Sequence, residues 1–256
     1  MSKSIRSFCK SALPLVVILL LWHYAASLQI WSSYVLPSPQ KVLDAFWTMA
    51  KNGVLMRHIL VSLGRVLTGF SIAFALAFLL GVAAGLLPSA SAYYNHMVEF
   101  MRNVPPLSLI ALLILWFGID ETSKIIIIVL ASFFPMFLNI KKGLNACDVR
   151  LLEVGQSLGF SKPRQFFRIM LPFALPDILV GMRIGLGYSW RAIIGAEMIA
   201  AASGLGYLIL DAQQMSRSDK VIVGIFVIGI VGYFCDRLFS FGIKKVLHGG
   251  VDDSWR

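Results

Sequence analysis

Residues 58–87 read HILVSLGRVLTGFSIAFALAFLLGVAAGLL, and Arg65 is the single fully charged side chain in the run. About twenty apolar residues suffice for a helix to cross a hydrocarbon core of ~30 Å. At ~1.5 Å per residue this run is longer than that, so the helix either tilts or projects into water. Gly81 and Gly85 form a small-xxx-small pair, which lets a neighbouring helix approach closely. The rest of the chain agrees with a lipid-embedded helix. It has 256 residues, of which 58% are hydrophobic and 14% charged, and its mean hydropathy is +0.78. That is too little polar sequence to cover a soluble core, whereas lipid as the solvent removes the need. The expected fold class is an all-α membrane protein, organised as one domain over residues 1–256.

Outward from this run, about six transmembrane helices are expected. The first is Ala12–Trp31, behind Lys3, Arg6 and Lys10. A positive flank, an apolar run and Ala25-Ala26-Ser27 also suit a cleaved signal peptide, but the apolar run continues through Ile30 and Trp31, which favours an uncleaved helix. After Leu36-Pro37-Ser38-Pro39, residues 40–51 mix Val42, Leu43, Phe46, Trp47 and Met49 with charges, a pattern for a helix lying in the membrane interface. A third span is read over Val104–Gly118, kinked or opened by Pro105 and Pro106, after a more polar stretch from Pro88 to Asn103. A short acidic turn at Asp120 and Glu121 leads to a fourth span, Ser123–Ile140. The fifth is Phe173–Ala202, where Gly181 and Gly185 repeat the small-residue spacing, and the sixth is Val221–Phe241.

An even number of spans puts both termini on one side. Loops on that side hold Arg102, Lys141, Lys142, Arg150, Lys162, Arg164, Arg168, Lys244 and Lys245, besides the N-terminal basic residues. Opposite loops mix Lys41, Lys51, Arg57, Arg217 and Lys220 with Asp44, Asp120, Glu121, Asp211 and Asp219. The positive-inside rule then makes both termini cytoplasmic. It also accounts for the formal charge of +10 without nucleic acid, because the basic residues are spread over separate short loops. Cys9, Cys147 and Cys235 are odd in number and far apart, hence plain thiols. His23, His58, His96 and His248 stand alone, so no metal site is expected. Gly187-Tyr188-Ser189-Trp190 lacks the second glycine of a nucleophile elbow. No phosphate-binding loop occurs either, so this chain is expected to be no enzyme and to bind no cofactor of its own.

The loop between the fourth and fifth spans is the most informative. Residues 151–158 form a short helix, and Gly159 stands where a left-handed turn ends it. Ser161 suits an N-cap and Pro163 a first turn. A second short helix then carries Phe166, Phe167 and Ile169 on an apolar face and stops near Pro172. Such a helical hairpin, held outside the bilayer with apolar residues exposed, fits a groove on a cytoplasmic partner.

At this loop the chain resembles the permease subunits of binding-protein-dependent ABC importers. Glu153, then Gly159, then Ile169-Met170-Leu171-Pro172 match the family loop written EAA, three residues, G, nine residues, I-x-L-P; the two alanines are Val154 and Gly155 here. Gly155 weakens the first short helix by about 1 kcal/mol relative to alanine. Leu36-Pro37-Ser38-Pro39, Ser62-Leu63-Gly64-Arg65-Val66, Arg102-Asn103-Val104-Pro105, Trp116-Phe117-Gly118-Ile119, Ala196-Glu197-Met198 and Gly204-Leu205-Gly206-Tyr207 are similar to the sulfonate, taurine, nitrate and bicarbonate branch. The resemblance implies a type I ABC importer permease fold with a core transport region over 58–241 and a coupling loop over 150–172. It implies Glu153, Gly159, Phe166, Ile169, Leu171 and Pro172 as ATPase-coupling residues. It further implies ATP and Mg on a separate cytoplasmic ATPase dimer, an extracytoplasmic solute-binding protein, a permease homodimer and an inner-membrane location. A small sulfonate is the implied solute; related members handle nitrate, bicarbonate, aromatic acids and vitamin precursors.

Charged residues in or beside spans face protein or water rather than lipid, which singles out Arg65, Glu99, Arg183, Arg191, Glu197 and Asp236. Arg65, Arg183, Arg191 and Glu197 are candidate pathway residues. Arg183 and Arg191 are separated by about 80° around one helix, so an anion passing that face meets both. The competing reading pairs them with Asp177, Glu197 or Asp236, or sets them at the membrane interface. Two other functions compete. An ion-coupled secondary transporter needs paired intramembrane acids and broken helices in two matching halves, and Glu197 has no such counterpart. A non-transporting scaffold would use the exposed loop only to hold a protein.

Overall fold

The computed structural model describes residues 2–28, 31–87, 89 and 91–247. His248 lies outside the described residues, as do residues 29 and 30 within the expected first span. The described chain is helical: α1 (Ser2–Ser27), α2 (Pro39–Lys51), α3 (Val54–Leu86), α4 (Ser91–Asn103), α5 (Ile110–Phe117), α6 (Glu121–Asn145), α7 (Val149–Ser157), α8 (Lys162–Gln165), α9 (Leu171–Ala200), α10 (Leu205–Gln214) and α11 (Ser218–Val246).

α6 is the centre of the bundle, flanked by α3 and α9. Small residues make this close packing possible. A Cβ on Gly81 of α3 would stand 2.8 Å from Ile140 Cγ2, and one on Gly181 of α9 would stand 2.7 Å from Asn139 Cβ. Both small-residue pairs expected to receive a neighbour therefore receive the same one. Ile127, Ile128, Met136 and Ile140 of α6 are fully buried between them. A third cluster joins Val42, Ala45 and Met49 of α2 to Leu205 and Leu208 of α10 and Val223 and Val227 of α11. The opposite side of α2 exposes Leu43 and Trp47. α1 is tied to the following linker by Trp22 Nε1, which donates to the Pro37 carbonyl at 3.0 Å.

Four helices among the described residues are long and apolar enough to cross a membrane: 54–86, 121–145, 162–200 and 218–245. A bent pair, Tyr93–Asn103 with Pro106–Phe117, whose halves meet at 84°, adds a fifth if the two halves together make one crossing. α1 would complete the expected six, but its apolar described part, Val16–Ser27, is shorter than a full span. The more polar stretch before the third span is itself largely helical, because residues 91–103 are helix α4. Val104 and Pro105 cannot continue it: a residue preceding proline is driven out of the helical region, and proline has no N–H to donate. Pro105 is extended (φ −62°, ψ 123°), and a 3₁₀ turn, Pro106–Leu109, restarts the chain in a new direction.

A correction concerns Pro172. The chain does not stop there: α8 passes through a π turn, Phe166–Met170, straight into α9. The wider π turn shifts the hydrogen-bond register, so that Pro172 falls in the first turn of the new α segment, where its missing N–H is not needed. Lys162 to Ala200 is therefore one apolar helical rod of 39 residues.

Candidate functional site

Two arrangements carry the residues singled out in the sequence. The first is a buried charge network at the end of the bundle where α3 and α6 begin and α9 finishes. Ser62 and Arg65 of α3 are three apart, hence on one helix face. Glu197 is fully buried in the last turn of α9, and Arg65 is only 6% exposed. Arg65 Nη1 donates to Glu197 Oε1 at 2.8 Å and to the Ser203 carbonyl at 2.6 Å. Its Nε and Nη2 fork onto the Glu121 carboxylate, both at 2.6 Å, and Nη2 also reaches Ser203 Oγ at 3.3 Å. All five guanidinium donors are thus used. Lys124, nearly buried, approaches Glu121 at 3.4 Å, so two cations face two anions and the group is neutral.

The same carboxylate starts α10. Gly206 N–H donates to Glu197 Oε2 at 2.9 Å, Leu205 N–H to Ser62 Oγ at 2.9 Å, and Gly204 N–H to His58 Nδ1 at 3.0 Å. Ser62 Oγ in turn lies 2.8 and 2.9 Å from the two Glu197 oxygens. Orphan N–H groups at the start of α10 are thereby capped by side chains from α3 and α9. Gly204 has φ +114°, and a Cβ on it would collide with the Glu197 carboxylate; a Cβ on Gly206 would collide with the Ile194 carbonyl. Only glycine fits at either place.

Three of the sequence segments noted separately, around Ser62 to Arg65, Glu197 and Gly204 to Tyr207, therefore meet at one point. Glu121, Ser203 and His58 complete the network and were not anticipated as its members. Arg65 and Glu197, expected to line a pathway, are bonded to each other and buried. Arg183 is also paired: its Nε and Nη2 donate to the two Asp236 oxygens, both at 2.8 Å, tying α9 to α11. Asp177, the other partner considered, takes Lys142 at 2.9 Å. Arg191 is exposed, with its guanidinium carbon 5.8 Å from the centre of the Tyr188 ring. Glu99 is an exposed residue of α4.

The second arrangement is the hairpin of α7 and α8 between the long helices α6 and α9. Asp148 caps α7 by accepting from Arg150 N–H at 2.9 Å. Gly159 ends it in the left-handed region at φ +74°, with Phe160 N–H returning to the Gly155 carbonyl at 2.9 Å. Ser161 stands at the N-cap position of α8, but its hydroxyl makes no capping bond. Gly155 is buried, and a Cβ there would come within 2.6 Å of Ile169 Cδ1. The glycine that lowers helix propensity is also the one that lets α7 seat on Ile169.

The exposed apolar face differs from the expected one. Phe167 is 64% exposed, but Phe166 and Ile169 are half-buried, and Phe166 packs on the α3–α6–α9 core. The exposed apolar residues of the hairpin are, besides Phe167, Val149, Leu151 and Val154 on α7 and Leu158 just after it (64%, 43%, 57% and 67%). Glu153 and Pro172 are exposed and Leu171 is half-buried. Among the described residues no group of three or more His, Cys, Asp or Glu side chains could hold a metal ion.

The chain is 36% identical over 238 residues to a putative aliphatic sulfonates transport permease protein of Bacillus subtilis (strain 168), covering 93% of this chain and 86% of the other. A protein of the same description from Escherichia coli (strain K12) is 40% identical, covering 86% and 84%. The taurine transport system permease protein of that strain is 37% identical, covering 87% and 82%. Among solved structures, a chain of the MetNI methionine ABC transporter in an inward-facing form superposes with a TM-score of 0.62 at 14% identity, covering 75% of this chain and 98% of that one. That likeness speaks for the fold. The profile of the binding-protein-dependent transport system inner membrane component matches residues 77–248, and this chain therefore belongs to that family of multi-pass ABC importer permeases, in its sulfonate, taurine and nitrate branch.

Proposed function

We propose that this chain forms the translocation path of an ATP-driven importer for a small organic anion such as an aliphatic sulfonate, and couples it to an ATPase on another chain. Residues 58–241 would make the transport core and residues 150–172 the coupling loop. The observation that carries the reading is the α7–α8 hairpin. It stands between two membrane-crossing helices, and its tip presents Val154, Leu158 and Phe167 with the charged Glu153 among them. An apolar tip with a polar edge is what a groove on a soluble partner recognises. Glu153 and Gly159 would act at the contact, Gly159 by holding the turn. Phe166, Ile169, Leu171 and Pro172 would act behind it, by fixing the hairpin to the head of the α9 rod. The anionic solute is suggested by the sulfonate and taurine permeases among the relatives. The excess of Lys and Arg on one set of loops supports a cytoplasmic hairpin and cytoplasmic termini, and with them an Arg65–Glu197 network on the outer side, where a solute-binding protein would deliver its load. Two such chains, related by a twofold axis, would enclose the path.

The test is affinity purification of the tagged chain from its native host in mild detergent, with mass spectrometry of what accompanies it, beside the variant Glu153→Ala/Gly159→Asp. A phosphate-loop ATPase that accompanies the wild type, and is lost from the folded variant, upholds the reading. A folded wild type with no ATPase overturns it.

A further inference from the structure

Five residues of α9 beyond Leu179 are exposed: Val180, Ile184, Tyr188, Arg191 and Ile199. The spacing of the first four puts them on one stripe of the helix, about 100° around from the stripe of Gly181, Gly185 and Ser189, whose glycines meet α6. Arg191 is the only charged residue among them. It stands nine residues before the end of α9, about 13 Å along the axis. A guanidinium at that depth is expensive against lipid, so this part of the stripe meets water or protein. Beside it lies a groove of about 460 Å³ between α9 and α11. Val180, Ile184, Ile243 and Leu247 give it apolar walls. Arg183 and Asp236 also border it, but they neutralise each other, so Arg191 sets its net charge. Gly187, one turn before Arg191, also lines it, and a Cβ added there meets nothing within 4 Å. The groove continues into a larger one of about 830 Å³ towards α3, which shares Gly187 and Arg191.

A single positive charge at the edge of an apolar trough is complementary to an organic monoanion with a short aliphatic tail. We propose that this groove is where the transported anion rests on its way through, its charged head on Arg191 and its tail along Val180, Ile184 and Ile243. The inference rests on the importer reading above and assigns that reading a site. It makes Arg191 a solute contact, while Arg65, Glu197 and Arg183 are structural.

The test uses Gly187→Cys, which places a thiol in open space one turn from Arg191, in the full chain purified with its accompanying subunits and embedded in phosphatidylcholine nanodiscs. Two reagents are compared at residue 187 by peptide mass spectrometry. One is the anionic 2-sulfonatoethyl methanethiosulfonate, itself a short aliphatic sulfonate, and the other is its cationic trimethylammonium analogue. A unit charge one turn away attracts one reagent as much as it repels the other, so the anionic reagent is expected to gain about tenfold in relative rate. Adding Arg191→Gln should abolish that preference, and free ethanesulfonate should slow labelling of the Arg191 form alone. No labelling by either reagent would mean that lipid tails or a second copy fill the groove, and would overturn the proposal. So would a preference unchanged by Arg191→Gln, or a site blocked by phosphatidylglycerol but indifferent to ethanesulfonate. Co-purification separates the two readings. An ATPase present without the charge preference sinks the site alone, and the preference without an ATPase sinks the importer.

Discussion

Replacing Arg65 by methionine keeps most of the stem volume and removes the charge that the network was built around. Glu197 is fully buried, so its carboxylate cannot turn to water when its partner goes. It keeps only Ser62 Oγ and the Gly206 N–H as donors. Breaking a buried pair by removing one member costs about 3–5 kcal/mol. The two surviving donors argue for about 3 kcal/mol. The lost fork to Glu121 adds little, because that side chain is 57% exposed and free to hydrate. At ~2–4 °C per kcal/mol for a chain near this size, the thermal midpoint in detergent should fall by about 6–12 °C. Arg65→Met/Glu197→Gln removes both charges, and the glutamine carbonyl can still accept from Gly206, so the double variant should regain about half of the loss. A double-variant cycle read by thermal unfolding checks this. If the single variant moved the midpoint by under about 2 °C, or if the two losses simply added, the network would not be holding the helix ends together.

Gly204→Ala should be worse than a helix-propensity change alone. The residue is at φ +114° with the Glu197 carboxylate in the way, so a loss of about 3 kcal/mol or more in the same assay is expected, with no rescue by Glu197→Gln. Gly159→Ala meets no atom within 4 Å and bears only the left-handed penalty of about 1–2 kcal/mol. The chain should therefore stay folded, with ATPase co-purification falling more than the thermal midpoint. Leu158→Glu should leave stability within about 0.5 kcal/mol, since the side chain is 67% exposed, and abolish co-purification; Ile169→Ala should lower stability as well. Cys147 is buried, and burial first and then the neighbouring Asp148 charge push its thiol above the ordinary range. At pH 7.5 it should react with a maleimide more slowly than Cys147 of the SDS-unfolded chain, and the gap should narrow as pH rises through the folded value.

Membrane-crossing helices, the glycine pairs and the hairpin between α6 and α9 are all legible in the sequence because each is a local signal. Gly81 and Gly85 announce a close neighbour, and Gly159 announces a left-handed turn. The sequence does not say which neighbour, and in lipid it says little about which face is inward, because both sides of a span are apolar. Hence Phe166 and Ile169 read as an outer face and pack inward, while Val154 and Leu158 form the exposed one. The Arg65–Glu121 pair is 56 residues apart and the Ser62–Glu197 pair 135. No periodicity relates such partners. The one local hint was the pair Gly204 and Gly206, two glycines together where a helix begins. The π turn was hidden for the opposite reason: Pro172 is a strong local stop signal that a register shift overrides.

That shift leaves the chain with one long beam. From Lys162 to Ala200 the helix runs for 39 residues, about 58 Å at ~1.5 Å each. The hairpin is clamped to one end of it and the Arg65–Glu197 network to the other. A beam of that length pivoting near its middle, where Met136 of α6 fills the notch at Gly185, needs only about 5° of tilt to carry each end some 2.5 Å. The two ends would travel in opposite senses, so a push on the hairpin would be felt at the network with no message passed from residue to residue in between.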